Sequence, residues 1–105
     1  MAEERMLGDV MRDIQNQKKS GALYVSVVET SEDLIRIYFT NGEIYHLRYG
    51  TAIGNDCLDI LEFYDLYSAT FFDGIKAPDA AAKDLPSTGE ILARIGRLNK
   101  KVKVR

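Results

Sequence analysis

The chain holds a single histidine, His46, and a single thiol, Cys57. A nucleophilic site needs a base within hydrogen-bond reach of the nucleophile. These two meet only if a helix starting near Cys57 packs beside the strand carrying His46. No loop that would form an oxyanion hole accompanies them, so they read as a small buried thiol and a structural histidine. Carboxylates pair at Asp56 and Asp59, in an early helix turn where acids suit the dipole, and at Glu32 and Asp33, in a turn. Neither pair comes with a pocket or neighbours that would tune it for acid–base work. One histidine without clustered acids or thiols argues against a transition-metal site, and no cofactor is expected. The stretch Tyr49-Gly50-Thr51-Ala52-Ile53-Gly54 has two glycines but no following Lys-Ser or Lys-Thr, so it is no phosphate loop. The residue types therefore favour a binding role over catalysis.

Three helices and four strands would position these residues. Leu7, Val10, Met11 and Ile14 form one apolar stripe on a helix from about Met6 to Gln17, with Gly21 after its end. Leu23, Val25 and Val27 alternate along one strand, and Ile35, Ile37 and Phe39 along the next, with polar Thr30-Ser31-Glu32-Asp33 between them. Asn41-Gly42 then precedes Ile44 to Tyr49. An Asn-Gly pair between alternating runs marks a hairpin, because both residues tolerate positive φ. Asn55 or Asp56 would cap a second helix with Cys57, Leu58, Leu61 and Tyr64 on its apolar face. A fourth strand runs from Tyr67 to Phe72. Residues 74–86 read as a loop, and Ser87 with Glu90 as a capping box. It opens a last helix with Ile91, Ile95, Leu98 and Val102 on one side. The expected fold is α+β: an antiparallel four-stranded sheet with three helices, in the order α-β-β-β-α-β-α.

At 105 residues, 46% apolar and 29% charged, the chain fits one globular domain. A lone cysteine allows no internal disulfide and suits a reducing cytoplasm. The charged start leads into no long apolar run, so neither a secretory signal nor a membrane span is expected. The net charge of −2 is uneven: residues 91–105 carry +6, with no acid, and residues 1–90 carry −8. A basic tail from about residue 99 fits an anionic partner or complements the dipole of the last helix. Arg36, Tyr38, Arg48 and Tyr49 interleave cations with aromatics, but the acidic body argues against nucleic acid.

If Asn41-Gly42 is a strict two-residue turn, Phe39 faces Ile44, Ile37 faces His46 and Tyr38 faces Tyr45. His46 then lies on the core face. The other face would carry Tyr38, Tyr45, Leu47 and Tyr49, with Tyr24 and Val28 from the first strand, an unusually apolar and aromatic surface for a solvated sheet. Tyr24, Tyr38, Tyr45, Leu47 and Tyr49 are its five candidate docking residues. Such a patch is either covered by a helix or loop, or docks a partner. One extra residue would flip the third strand and swap the faces.

The order of elements and several short motifs resemble the PATAN domain, found at the N-terminus of the bacterial signalling protein PatA. The resemblance spans Leu7 to Ile95. Lys19-Ser20-Gly21-Ala22-Leu23-Tyr24-Val25 is similar to the family's Lys-Thr-Gly-x-Leu strand start. Ile37 to Leu47 resembles its strand, glycine turn and histidine. Gly54 to Phe63 resembles the helix that follows, and Ala69-Thr70-Phe71-Phe72 the closing strand. Leu47, Tyr64 and Ala69 depart from the small residue, tryptophan and glycine that the family commonly has there. The resemblance implies a cytoplasmic protein-interaction module in bacterial signalling, with no catalytic residues to carry over. Without a receiver domain, its partner would be a separate signalling protein. Three readings follow: an adaptor binding through the tyrosine face or the last helix and tail, with a homodimer through a helix seam of Ile91, Ile95, Leu98 and Val102 as a variant; a small-ligand sensor with a pocket near His46; and an enzyme, which no constellation supports.

Overall fold

The computed structural model describes residues 3–28, 33–78 and 85–104. The elements among them are β1 (Glu3–Met6), α1 (Leu7–Asn16), β2 (Gly21–Val27), β3 (Leu34–Thr40), β4 (Glu43–Tyr49), β5 (Ala52–Ile53), α2 (Asn55–Phe63), β6 (Leu66–Asp73), α3 (Thr88–Gly96) and β7 (Lys101–Val104). The strands form one sheet in the order β1-β7-β6-β2-β3-β4-β5. Neighbours are antiparallel except β6 and β7, which run parallel. The class is α+β, but the expected four-stranded antiparallel sheet is corrected to a seven-stranded mixed one. The order becomes β-α-β-β-β-β-α-β-α-β.

Each missed strand has a local reason. Val102 fits a helical stripe with Ile95 and Leu98, but Lys101-Val102-Lys103-Val104 also alternates with the strand period of two. Gly96 ends α3, and Asn99 at φ 53° turns the chain back. The next four residues then insert as β7 between β1 and β6. The expected basic tail is thus partly an inner strand. The expected helix seam does not exist, because Ile91, Ile95 and Val102 are buried in the chain's own core. β1 has no apolar alternation of its own. It pairs along β7, and the Leu7 amide donates to Lys100 O at 2.8 Å where α1 begins. β5 is only two residues long and pairs with the end of β4.

All three helices lie on one face of the sheet. Leu7, Val10, Met11 and Ile14 of α1, Cys57, Leu58 and Leu61 of α2, and Ile91, Leu92 and Ile95 of α3 join one core with Leu23, Val25, Ile35, Ile37 and Leu47. Arg94 of α3 ties the helices at the surface by ion pairs to Asp59 at 2.7 Å and to Glu62 of α2. The Ser87 hydroxyl caps α3 by accepting from the Glu90 amide at 3.2 Å. The cap of α2 is corrected: Gly54, at φ 64°, takes that place instead of Asn55 or Asp56. Thr30-Ser31-Glu32 and part of the expected loop at 74–86 lie outside the described residues.

The Asn41-Gly42 turn has two residues, both at positive φ (50° and 83°), and Thr40 pairs with Glu43 across it. A β-carbon on Gly42 would also sit 2.6 Å from Gln15 O, so glycine serves both the turn and the close approach of α1. The register is then corrected beyond the turn. Phe39 pairs with Ile44, but Tyr38 pairs with His46 and Ile37 with Leu47, leaving Tyr45 as an extra residue in β4. This β-bulge reverses the facing of every later residue of the strand. It exchanges an imidazole for a leucine in the core, and full burial of a leucine is worth about 1.5–3 kcal/mol. Leu47→Ala is therefore expected to cost roughly 2–5 kcal/mol in urea unfolding. A loss below about 0.5 kcal/mol, the range of surface substitutions, would restore the strict register.

Candidate functional site

The sheet face away from the helices is the candidate site. Strand pairing places Ala22, Tyr24 and Ser26 of β2 beside Arg36 and Tyr38 of β3, and beside Ser68, Thr70 and Phe72 of β6. His46 and Arg48 of β4 continue the face on one side, and Lys103 of β7, opposite Ser68, on the other. At its centre the Ser26 and Ser68 hydroxyls lie 2.7 Å apart, and Ser26 Oγ also accepts from the Ser68 amide at 3.1 Å.

Aromatic rings stand on this face under cations. Tyr24 and Phe72 have ring centroids 5.1 Å apart. The Arg36 guanidinium lies 5.6 Å from the Tyr24 ring centroid, and Lys103 Nζ 4.9 Å from that of Tyr67. Such contacts hold a cation against the surface while leaving its outer N–H groups to solvent. Tyr67, Phe72 and Ile75 are 45%, 44% and 41% exposed, large values for apolar rings and branches. Asp33, beside Arg36 at 3.3 Å, also accepts from the Leu34 amide.

One end of the face is built up by the segment after β6. The Ala77 amide donates to Tyr45 Oη at 3.0 Å. A groove of ≈ 230 Å3 opens there between Phe39, Tyr45 and Ile75, with Ser20, Thr40 and Lys76 at its margin. His46 does not line it, so the pocket expected next to His46 is not this one.

Of the five tyrosine-face residues expected, three lie on this side. Tyr24 is half-buried, Tyr45 is half-buried and bonded to Ala77, and Tyr38 is buried against the rings of Tyr45 and His46. Burial pushes the Tyr38 phenol up from its ordinary value. The other two are corrected by the bulge. Leu47 is in the core under the helices, and Tyr49 packs edge-on against Tyr64 at the end of α2. Phe72, Tyr67, Ile75 and Lys103 were not expected. For Phe72 the signal was present: Ser68, Thr70 and Phe72 alternate with Ala69 and Phe71, and the latter pair belongs to the core side.

The catalytic candidates separate. His46 is buried on the open side of the sheet, whereas Cys57 lies in the core among the helices, so the sheet stands between them. Asp59 is tied to Arg94, and Asp56 is exposed. Among the described residues no three His, Cys, Asp or Glu side chains gather to hold a metal ion. None of the helices described is long and apolar enough to cross a membrane. Burial pushes the Cys57 thiol up to about 12. The thiol should therefore be inert to Ellman's reagent at pH 8 in the folded protein and react fully in denaturant. Rapid reaction without denaturant would show that α2 opens readily.

Comparison with protein-family models, with curated proteins and with solved structures returned no match.

Proposed function

We propose that this chain is a non-catalytic protein-interaction module, an adaptor in bacterial signalling or regulation, and that it works in the cytoplasm. The observation that carries the reading is the open sheet face, where exposed Tyr67 and Phe72 flank half-buried Tyr24 beside Arg36 and Lys103. Aromatic rings and arginine are the side chains that most often dominate binding energy at protein interfaces. The molecule measures 32 × 29 × 25 Å, so one face offers on the order of the 800 Å2 per partner that a standard interface buries.

The remaining chemistry agrees with a binding role. The thiol and the histidine lie on opposite sides of the sheet, and Cys57 is held in its unreactive form. Three helices cover the other face, so docking on the open one leaves the core packing intact. The likeness to PATAN domains supports the signalling context.

A Tyr24→Ser/Phe72→Ser variant tests the docking face, with Arg12→Glu, exposed on α1, as control. Captured proteins would be identified by mass spectrometry and then purified for titration. A partner that binds wild type and the Arg12→Glu control, and loses at least tenfold in affinity for the folded double variant, is the expected result. Equal affinity for all three proteins would move the interface off this face.

A further inference from the structure

We infer that the partner segment taken by this face is an acidic, extended stretch of polypeptide with one large apolar anchor. The inference rests on the docking role above and adds the chemistry of what docks. The face gathers Arg36, Arg48, Lys101 and Lys103, with Lys76 at the groove, against Glu4, Asp33 and Glu43, five cations to three acids. Among the described residues the face thus carries more cations than acids. Lys101 is 3.8 Å from Glu4, and Arg36 is beside Asp33. Lys103 and Lys76 make no ion pair among the described residues, and both are exposed. They are the cations most open to a partner's carboxylates, and such complementarity governs both encounter and choice of partner.

The rings decide between polypeptide and nucleic acid. A base-stacking platform needs open ring faces. Here Arg36 occupies a face of Tyr24 and Lys103 a face of Tyr67. What these pairs offer outward is N–H, which suits carboxylates.

The groove supplies the anchor site. Its ≈ 230 Å3, walled by Phe39, Tyr45 and Ile75, falls below the roughly 300–1,000 Å3 of a small-molecule site and suits one large side chain. Tyr67 and Ile75, eight residues apart along and just beyond β6, mark the two ends of the track. Within β6, Tyr67 to Phe72 spans roughly 17 Å at about 3.3 Å per residue before Gly74, at φ 78°, turns the chain toward Ile75. That is a length for an extended segment of about five or six residues.

A display library of random dodecapeptides, selected on the intact protein, tests the inference. Enriched sequences are expected to be net negative with a large apolar residue. A synthetic peptide of the leading sequence should bind wild type and Arg12→Glu equally. It should lose at least tenfold with Lys76→Glu/Lys103→Glu, both at exposed positions, and with Ile75→Asp, and weaken as salt rises. Enrichment of neutral or basic peptides that still lose binding with Phe72→Ser overturns the acidic chemistry and leaves the docking face standing. Failure to enrich any peptide overturns the inference, and tight binding of single-stranded oligo(dT) to the same face overturns the docking role with it.

Discussion

Tyr45 is one residue more than β4 needs to pair with β3, and the division of the molecule into a core and an open face depends on it. Before the bulge, Ile44 faces the helices under the ordinary alternation of a strand. After it, Leu47 does so and His46 turns away. Without the extra residue, Leu47 would lie on the open side and an imidazole would enter the apolar layer beside Ile37. His46 is buried on its own side of the sheet as well, so what the register decides is that Leu47, not the imidazole, joins the apolar layer with the helices. The bulge also splays Tyr45 outward to where its hydroxyl receives the Ala77 amide. The groove at the end of the face is thus a consequence of the same register shift.

A second constraint lies at the other side of the sheet. A strand that follows a helix and joins its sheet in parallel needs a crossover over one face. Here the link from β6 to β7 runs through α3. Ile91, Leu92 and Ile95 reach the core from that helix, and Val102 reaches it from β7. Placing β7 inside the sheet leaves β1 as the edge, and β1 carries Glu3, Glu4 and Arg5. Charged edge strands resist pairing with other chains, which leaves the broad face as the natural surface for contact.

Local signals showed through wherever one interaction dominates. The α1 stripe, the Asn41-Gly42 turn and the Ser87 cap stand where the residues place them. The signals fell short where two periods compete or where pairing is set from outside. Val102 satisfies both a helical and a strand pattern, and only the break at Gly96 to Asn99 decides between them. β1 takes its conformation from β7 and has no pattern of its own. The bulge has no residue signature in the run Ile44 to Leu47, because it follows from what each register would bury. The same step moved Leu47 and Tyr49 out of the candidate site. Phe72 entered it by an alternation that the sequence did contain.

The open face is chemically independent of the core in a way that matters for its reading. Tyr38 and Ala22 on that side are buried, but Tyr67, Phe72 and Ile75 remain substantially exposed. Single exposed apolar residues are ordinary on protein surfaces. A run of three along β6 and its extension, beside Tyr24, is harder to explain by folding, since the helices already close the core without it. Covering such rings would be favourable at about 25 cal/mol per Å2, and no helix among the described residues does so. The cations over Tyr24 and Tyr67 temper this exposure by keeping charge on the surface, which disfavours nonspecific apolar association while leaving their outward N–H groups available to a partner that brings carboxylates with it.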